Sequence, residues 1–133
     1  MTIVVDASVA VKWFLPEPGS AAAAALRDED SELTAPSFVA AEIGNALWKA
    51  VQRGGATRTE ALHGIAAVMI PFQSLIPIEE LRVRALMLAI DLRHPIYDCF
   101  YLALAERENA TLVTADEAMI AAARKAKIKV RRI

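Results

Sequence analysis

The sequence predicts a three-layer α/β domain built on a parallel sheet, and three observations predict it. Short apolar runs rich in β-branched residues alternate with stretches of helical spacing along the whole chain, so strands and helices take turns. The strands read as continuous apolar runs, not in-out alternations, which suits a parallel sheet covered on both faces. A chain of 133 residues that is 56% apolar can close a core without a disulfide or metal. No repeat and no Gly/Ser tract marks a second unit, so residues 1–133 are read as one domain.

Ile3-Val4-Val5 is the first strand and ends at Asp6. Ser8 to Leu15 has helical composition until Pro16-Glu17-Pro18-Gly19 stops it. Ser20 is the expected N-cap of a helix over Ala21 to Arg27, Leu33-Thr34-Ala35 is a strand, and Pro36 is expected to open a long helix to about Arg53, closed by Gly54-Gly55. Thr57 with Glu60 three residues on has capping-box form and starts a helix that Pro71 ends. Ser74-Leu75-Ile76 is a strand, and helical spacing returns over Glu79 to Leu92. Beyond Pro95 come a helix at Tyr97 to Glu108, a strand at Thr111 to Val113, a helix at Asp116 to Ala126 and a last strand at Ile128 to Arg132.

Composition excludes several classes. No window approaches 18 uninterrupted apolar residues, which argues against a membrane span. Met1 to Val5 lacks a basic leader and runs straight into Asp6, so no export signal is expected and a cytoplasmic location is. The single cysteine, Cys99, suits a reducing compartment and reads as packing. Fifteen basic and sixteen acidic residues nearly balance, but six of the bases and no acid fall in the last ten positions. That tail reads either as phosphate contact or as a solvated edge strand whose lysines prevent sheet-to-sheet association.

Four acids do not behave like surface acids. In an open parallel sheet, ligands collect at the carboxyl ends of the strands. Asp6 ends the first strand, and Asp116 follows the Thr111 to Val113 strand by three residues. Helix capping is the plainer alternative for both, with Thr114 and Glu117 forming a capping box that leaves Asp116 as a first-turn acid. Glu42 falls within the apolar stripe Phe38, Val39, Ile43, Ala46, Leu47 and Ala50, where it needs a cation or hydrogen bonds unless the stripe meets solvent there. Asn45 lies one turn further along that side, able to bond Glu42 or point at the same site. Asp98 begins the stripe of Tyr101, Leu102 and Ala105, as an inward acid or an ordinary first-turn one.

Taken together these positions suggest convergence. Convergent carboxylates repel unless a hard divalent cation holds them, which points to Mg²⁺ or Mn²⁺ because no His or Cys cluster offers a zinc site. His63 and His94 have no partner at ligand spacing and read as structural or surface residues. There is no glycine-rich phosphate loop, no G-x-S-x-G and no H-E-x-x-H. Trp13, Phe14 and Trp48 read as core or subunit contact.

As an ordered set, V-V-D-A-S at Val4 to Ser8, A-A-E-I-G-N-A-L at Ala40 to Leu47, Y-D-C-F-Y-L-A-L-A at Tyr97 to Ala105 and L-V-T-A-D at Leu112 to Asp116 resemble the PIN-domain family, and within it the VapC-type toxins of toxin-antitoxin pairs. The likeness spans essentially the whole chain. It implies a three-layer α/β/α fold with a central parallel sheet of about five strands and an RNA-cleaving site formed by Asp6, Glu42, Asp98 and Asp116. Ser8 and Thr114 match hydroxyl positions that support the acids, and Asn45 a polar position beside them. The resemblance also implies a homodimer and a cognate antitoxin that covers the site.

On this reading the four carboxylates hold Mg²⁺, with Mn²⁺ as the alternative, and water activated by the metal hydrolyses an RNA phosphodiester. With no general-acid histidine at the site, 5′-phosphate and 3′-hydroxyl ends are expected. Lys12, Arg53, Arg58 and the tail from Arg124 to Arg132 are candidates for drawing RNA to an acidic centre. Two rivals remain: a receiver-like signalling domain, which lacks an acid after the Leu75-Ile76 strand, and a PIN fold kept only for binding.

Overall fold

In the computed structural model, which describes residues 1–133, four runs carrying buried or half-buried apolar residues and the largely exposed Val130–Arg132 segment form five parallel strands. They are β1 (Thr2–Val5), β2 (Glu32–Pro36), β3 (Ser74–Ile76), β4 (Thr111–Thr114) and β5 (Val130–Arg132), lying in the order β3-β2-β1-β4-β5. Ile3, Val4 and Val5 of β1 and Leu112 and Val113 of β4 are all buried, as expected of strands covered on both faces. Each such side chain taken fully out of water stabilises the fold by about 1.5–3 kcal/mol.

The helices are α1 (Ala7–Ala10), α2 (Ser20–Leu26), α3 (Val39–Gln52), α4 (Arg58–Ala67), α5 (Arg82–Leu92), α6 (Ile96–Glu108) and α7 (Glu117–Lys125). From β1 the chain steps outward to β2 and β3, whereas from β4 it steps the other way to β5. Right-handed crossovers therefore put the intervening helices on opposite faces, and the order reverses between β1 and β4. Val5 pairs with Val113 across that boundary, so Asp6 and Thr114 leave the sheet side by side at its carboxyl edge.

Several element boundaries differ from expectation for local reasons. Pro36 does not open α3; it ends β2 opposite Ile76, where the ladder terminates and its missing N–H costs little. Ser20 is the first residue of α2, and Gly19, at φ 89°, occupies the cap. The Ser20 hydroxyl instead accepts from Glu17 N at 3.0 Å and donates to Leu15 O at 3.2 Å, knitting the Pro-rich turn. Ser8 to Leu15 shortens to α1 followed by a 3₁₀ turn at Val11–Trp13. The stretch from Glu79 splits into a 3₁₀ turn at Ile78–Glu80 and α5. The capping box of Thr57 and Glu60 forms as expected.

In α6, Cys99 to Ala105 are buried without a break, so this helix is apolar around its whole circumference and lies within the core. Cys99 is a free, buried thiol pushed up to about 11 by burial and then by the nearby Asp98 charge, which fits packing and not nucleophilic chemistry. No helix is long and apolar enough to cross a membrane.

Candidate active site

Asp6 leaves β1 into the first turn of α1 and is 5% exposed. It does not act as a side-chain cap there. Its Oδ2 instead accepts two hydroxyl hydrogen bonds, from Ser8 at 2.6 Å and from Thr114 at 2.8 Å. Those hydroxyls are held in turn: Ser8 Oγ accepts from Ala115 N at 3.1 Å and Thr114 Oγ1 from Asp116 N at 3.0 Å. The β1–β4 register thus locks Asp6, Ser8 and Thr114 into one network that no local segment could form alone.

Asp116 is the N-cap of α7, its Oδ1 accepting from Ala118 N at 2.8 Å and Met119 N at 3.3 Å. The alternative capping box of Thr114 and Glu117 does not form, because the Thr114 hydroxyl is committed to Asp6 and to the Asp116 backbone. Glu42 stands in the first turn of α3 and accepts from the Tyr101 hydroxyl at 2.7 Å through Oε1. Asp98, in the first turn of α6, meets His94 Nε2 at 2.6 Å through Oδ2.

All four carboxylates line one cavity of about 260 Å³, together with Ser8, Asn45 and Lys49. Asn45 borders the space and does not bond Glu42, whose partner is Tyr101. A pattern recurs in the four acids. In each, a protein donor bonds one carboxylate oxygen: Oδ2 of Asp6 and Asp98, Oε1 of Glu42, Oδ1 of Asp116. The second oxygen of each has no such side-chain partner, though the Ala7 N–H leans on the Asp6 carboxyl.

Burial of two of the acids is visible in their proton affinities. Burial raises the Asp6 carboxyl above its usual range, against the lowering pull of Ser8 and Thr114. Glu42 is pushed up to about 7, first by burial and then by the Asp6 and Asp98 charges, with the Tyr101 hydrogen bond opposing. Tyr101 is itself held well above its usual value by burial and by the Asp6 and Glu42 charges, so it stays a donor. An oxygen-only donor set in which burial, and secondarily the Asp6 and Asp98 charges, disfavour ionisation suits a hard divalent cation. No three of these carboxylates are gathered closely enough in this structure to hold one metal ion, so the fit rests on the chemistry of the donor set and not on an assembled ligand shell.

Because folded Glu42 holds its proton more tightly than the unfolded chain, its contribution to stability is complete below about pH 4.5 and is lost as pH rises through about 7. Glu42→Gln keeps an acceptor for Tyr101 and cannot ionise. In EDTA it is expected to flatten this slope and to stabilise the cation-free protein by about 1–2 kcal/mol at pH 8, after a discount for partial exposure. Thermal melts between pH 5 and 8 check this; identical slopes for both proteins would refute it.

Three side chains near the acids escape the sequence reading. His94 reads there as a structural or surface residue, but it bonds Asp98; the four-residue spacing across Pro95 is the signal that could have shown it. Tyr101, three residues past Asp98, reads as stripe and supplies the donor for Glu42. Lys49, seven residues beyond Glu42 on the same side of α3, lines the cavity with no ion-pair partner. Lys12, expected at the rim, is instead spent on Glu17 at 3.4 Å and Pro18 O at 2.8 Å. In the basic tail, Arg131 pairs with Glu29 and Arg132 with Glu117 on the edge strand β5.

Comparison with known proteins agrees with this architecture. The PIN domain family model matches residues 3–125. Ribonuclease VapC3 of Pyrobaculum aerophilum is 32% identical over 118 residues, covering 87% of this chain and 90% of that protein. The crystal structure of VapBC2 from Rickettsia felis, bound to a DNA fragment from their promoter, is similar at a TM-score of 0.74 and 15% identity, over 100% of this chain and 99% of that one. FitAcB from Neisseria gonorrhoeae is similar at 0.65 and 16%, covering 96% and 95%. At these identities the structural likenesses show the fold.

Proposed function

The chain belongs to the PIN-domain family, and on that footing we propose that it is a divalent-cation-dependent endoribonuclease acting as the toxin of a toxin-antitoxin pair. The observation that carries this reading is the one cavity lined by four carboxylates, those after β1, in α3, in α6 and at the start of α7, each braced through one oxygen. The name of the Pyrobaculum relative supports RNA as the substrate.

Asp6 and Asp98 would hold the cation directly, with Glu42 and Asp116 binding directly or through water. When bound, Mg²⁺ or Mn²⁺ supplies Lewis-acid activation of a water nucleophile and stabilises charge building on the phosphoryl oxygens. The chain's own part is orientation. Ser8 and Thr114 fix the Asp6 rotamer, Tyr101 keeps Glu42 acidic enough to ionise near neutrality, and His94 turns Asp98. Lys49 offers its charge to a backbone phosphate beside the acids. His94 borders the cavity only through Asp98 and has its Nε2 engaged, so 5′-phosphate and 3′-hydroxyl ends remain the expected products.

Two surfaces support the proposed partners. An apolar groove of about 400 Å³ between α3 and α4, on the side of α3 away from Glu42, has Trp48 and Leu62 exposed at its rim and offers a protein partner a seat. Val83, Leu86, Met87 and Ile90 form one exposed apolar stripe along α5, which favours a homodimer. The missing acid after β3 no longer argues against a receiver-like domain, because β3 is an edge strand and the middle strand β1 is followed by Asp6. That alternative is weakened instead by the family match and by the order β3-β2-β1-β4-β5, which is not the 2-1-3-4-5 order of receiver-like sheets.

The decisive experiment incubates the purified protein with total cellular RNA and Mg²⁺, then captures new fragments by ligation that requires a 5′-phosphate. Discrete cleavage that EDTA abolishes is expected. Cleavage persisting in excess EDTA, or fragments ending in cyclic phosphate, would overturn the mechanism, and no cleavage at all would favour a PIN fold retained for binding.

A further inference from the structure

We propose that a second cavity beside the carboxylates is a nucleobase subsite that takes one unpaired base of the RNA next to the bond being cut; the proposal rests on the ribonuclease reading above. This cavity, about 380 Å³, is walled by Phe38, Ile78, Tyr97 and Phe100, and it shares Glu42 and Asn45 with the acidic cavity. The two spaces therefore adjoin across one turn of α3. They also divide the carboxyl edge of the sheet between them. The acids Asp6 and Asp116 follow β1 and β4, whereas Phe38 and Ile78 each come two residues after β2 and β3.

A phosphate held at the acids has its flanking bases one sugar away, so a flat apolar pocket sharing a wall with the acids is placed to receive one. The pocket suits a base better than a phosphate, because no cation lines it and Glu42 stands at its edge. Its back wall is rigid. Phe38 packs edge-on against Phe100 at 5.4 Å and 80° and against Tyr101 at 5.7 Å and 89°, the same Tyr101 that braces Glu42. Its outer wall is Tyr97, 68% exposed and the immediate neighbour of Asp98, so one helical turn sets both an acid and an aromatic face. Asn45 at the shared edge carries both a donor and an acceptor with which to meet the hydrogen-bonding edge of a splayed base. Val83, Leu86, Met87 and Ile90, the exposed stripe of α5, do not line this pocket.

The test uses a synthetic RNA spanning a bond that the wild-type protein cuts in total RNA, and copies with an abasic ribose on either side of that bond in turn. Loss of the base on one side is expected to slow the wild type roughly tenfold in kcat/KM, the scale of one base–aromatic stack. Tyr97→Ala should slow cleavage of intact RNA by a similar factor and become indifferent to the abasic position, while Tyr97→Trp should recover most of the loss and the dependence on the base. Because the ring is exposed, melting and circular dichroism should match the wild type. A Tyr97→Ala protein that cuts as fast as wild type, or stays equally sensitive to the missing base, overturns the subsite. A changed oligomeric state in gel filtration with base sensitivity intact also overturns it, assigning Tyr97 to a second copy of the chain. Wild-type protein that cuts no RNA removes the ribonuclease reading and the subsite with it, an outcome distinct from a fully active Tyr97→Ala.

Discussion

Asp6→Asn is expected to lower Mg²⁺-dependent RNA cleavage by at least roughly 10²–10³-fold, the scale of losing one preorganised electrostatic group, while leaving the fold intact. The fold survives because asparagine retains an oxygen for the Ser8 and Thr114 hydroxyls, which now bond Asp6 Oδ2 at 2.6 and 2.8 Å. What is lost is a buried negative charge whose ionisation is already disfavoured by burial. The variant should therefore melt no lower than wild type at neutral pH without metal, and it should gain less thermal stability from added Mn²⁺. Cleavage at the wild-type rate, measured on the same RNA in the same Mg²⁺, would sink the assignment of the site.

Tyr101 is expected to give the largest change in stability near the site. Its side chain is fully buried, so Tyr101→Ala should cost about 3–5 kcal/mol by opening a cavity where α6 meets α3. Tyr101→Phe separates packing from chemistry. It keeps the ring and its edge-on contact with Phe38 but removes the donor that holds Glu42 down to about 7. The Glu42 carboxyl then rises further, so activity at neutral pH should fall several-fold and be regained as pH rises, since the cation binds the ionised form. Thermal melts of both variants and a pH profile of cleavage for the Phe variant check this. An unshifted profile would show that the hydroxyl plays no part in tuning Glu42.

The alternation of strand and helix, the short strand-forming runs and the placing of Asp6 after the first strand follow from residue chemistry that neighbours in sequence already express. Boundaries failed where a polar or cyclic residue had two local uses. Pro36 serves at the end of a strand as well as at the start of a helix, and pairing with Ile76 chose the strand. Thr114 and Asp116 are both good caps. The Asp6 carboxylate, supplied by a strand more than a hundred residues earlier, claimed the threonine and left the aspartate to cap α7. In α6 burial is all-round, so helical spacing around Asp98 could not say which side carried the site, and Tyr101 looked like any core residue.

By itself, then, the sequence determined the α/β class, because apolar runs and helical spacing are local properties, and its ordered motifs carried the family resemblance and singled out the four acids. Only the tertiary structure decided which groups brace those acids, that Lys12 is occupied while Lys49 is not, and that an aromatic pocket adjoins the carboxylates. The reason is that hydrogen-bond partners, charge repulsion and cavity walls depend on distances between segments far apart in the chain, and the strand order β3-β2-β1-β4-β5 sets those distances.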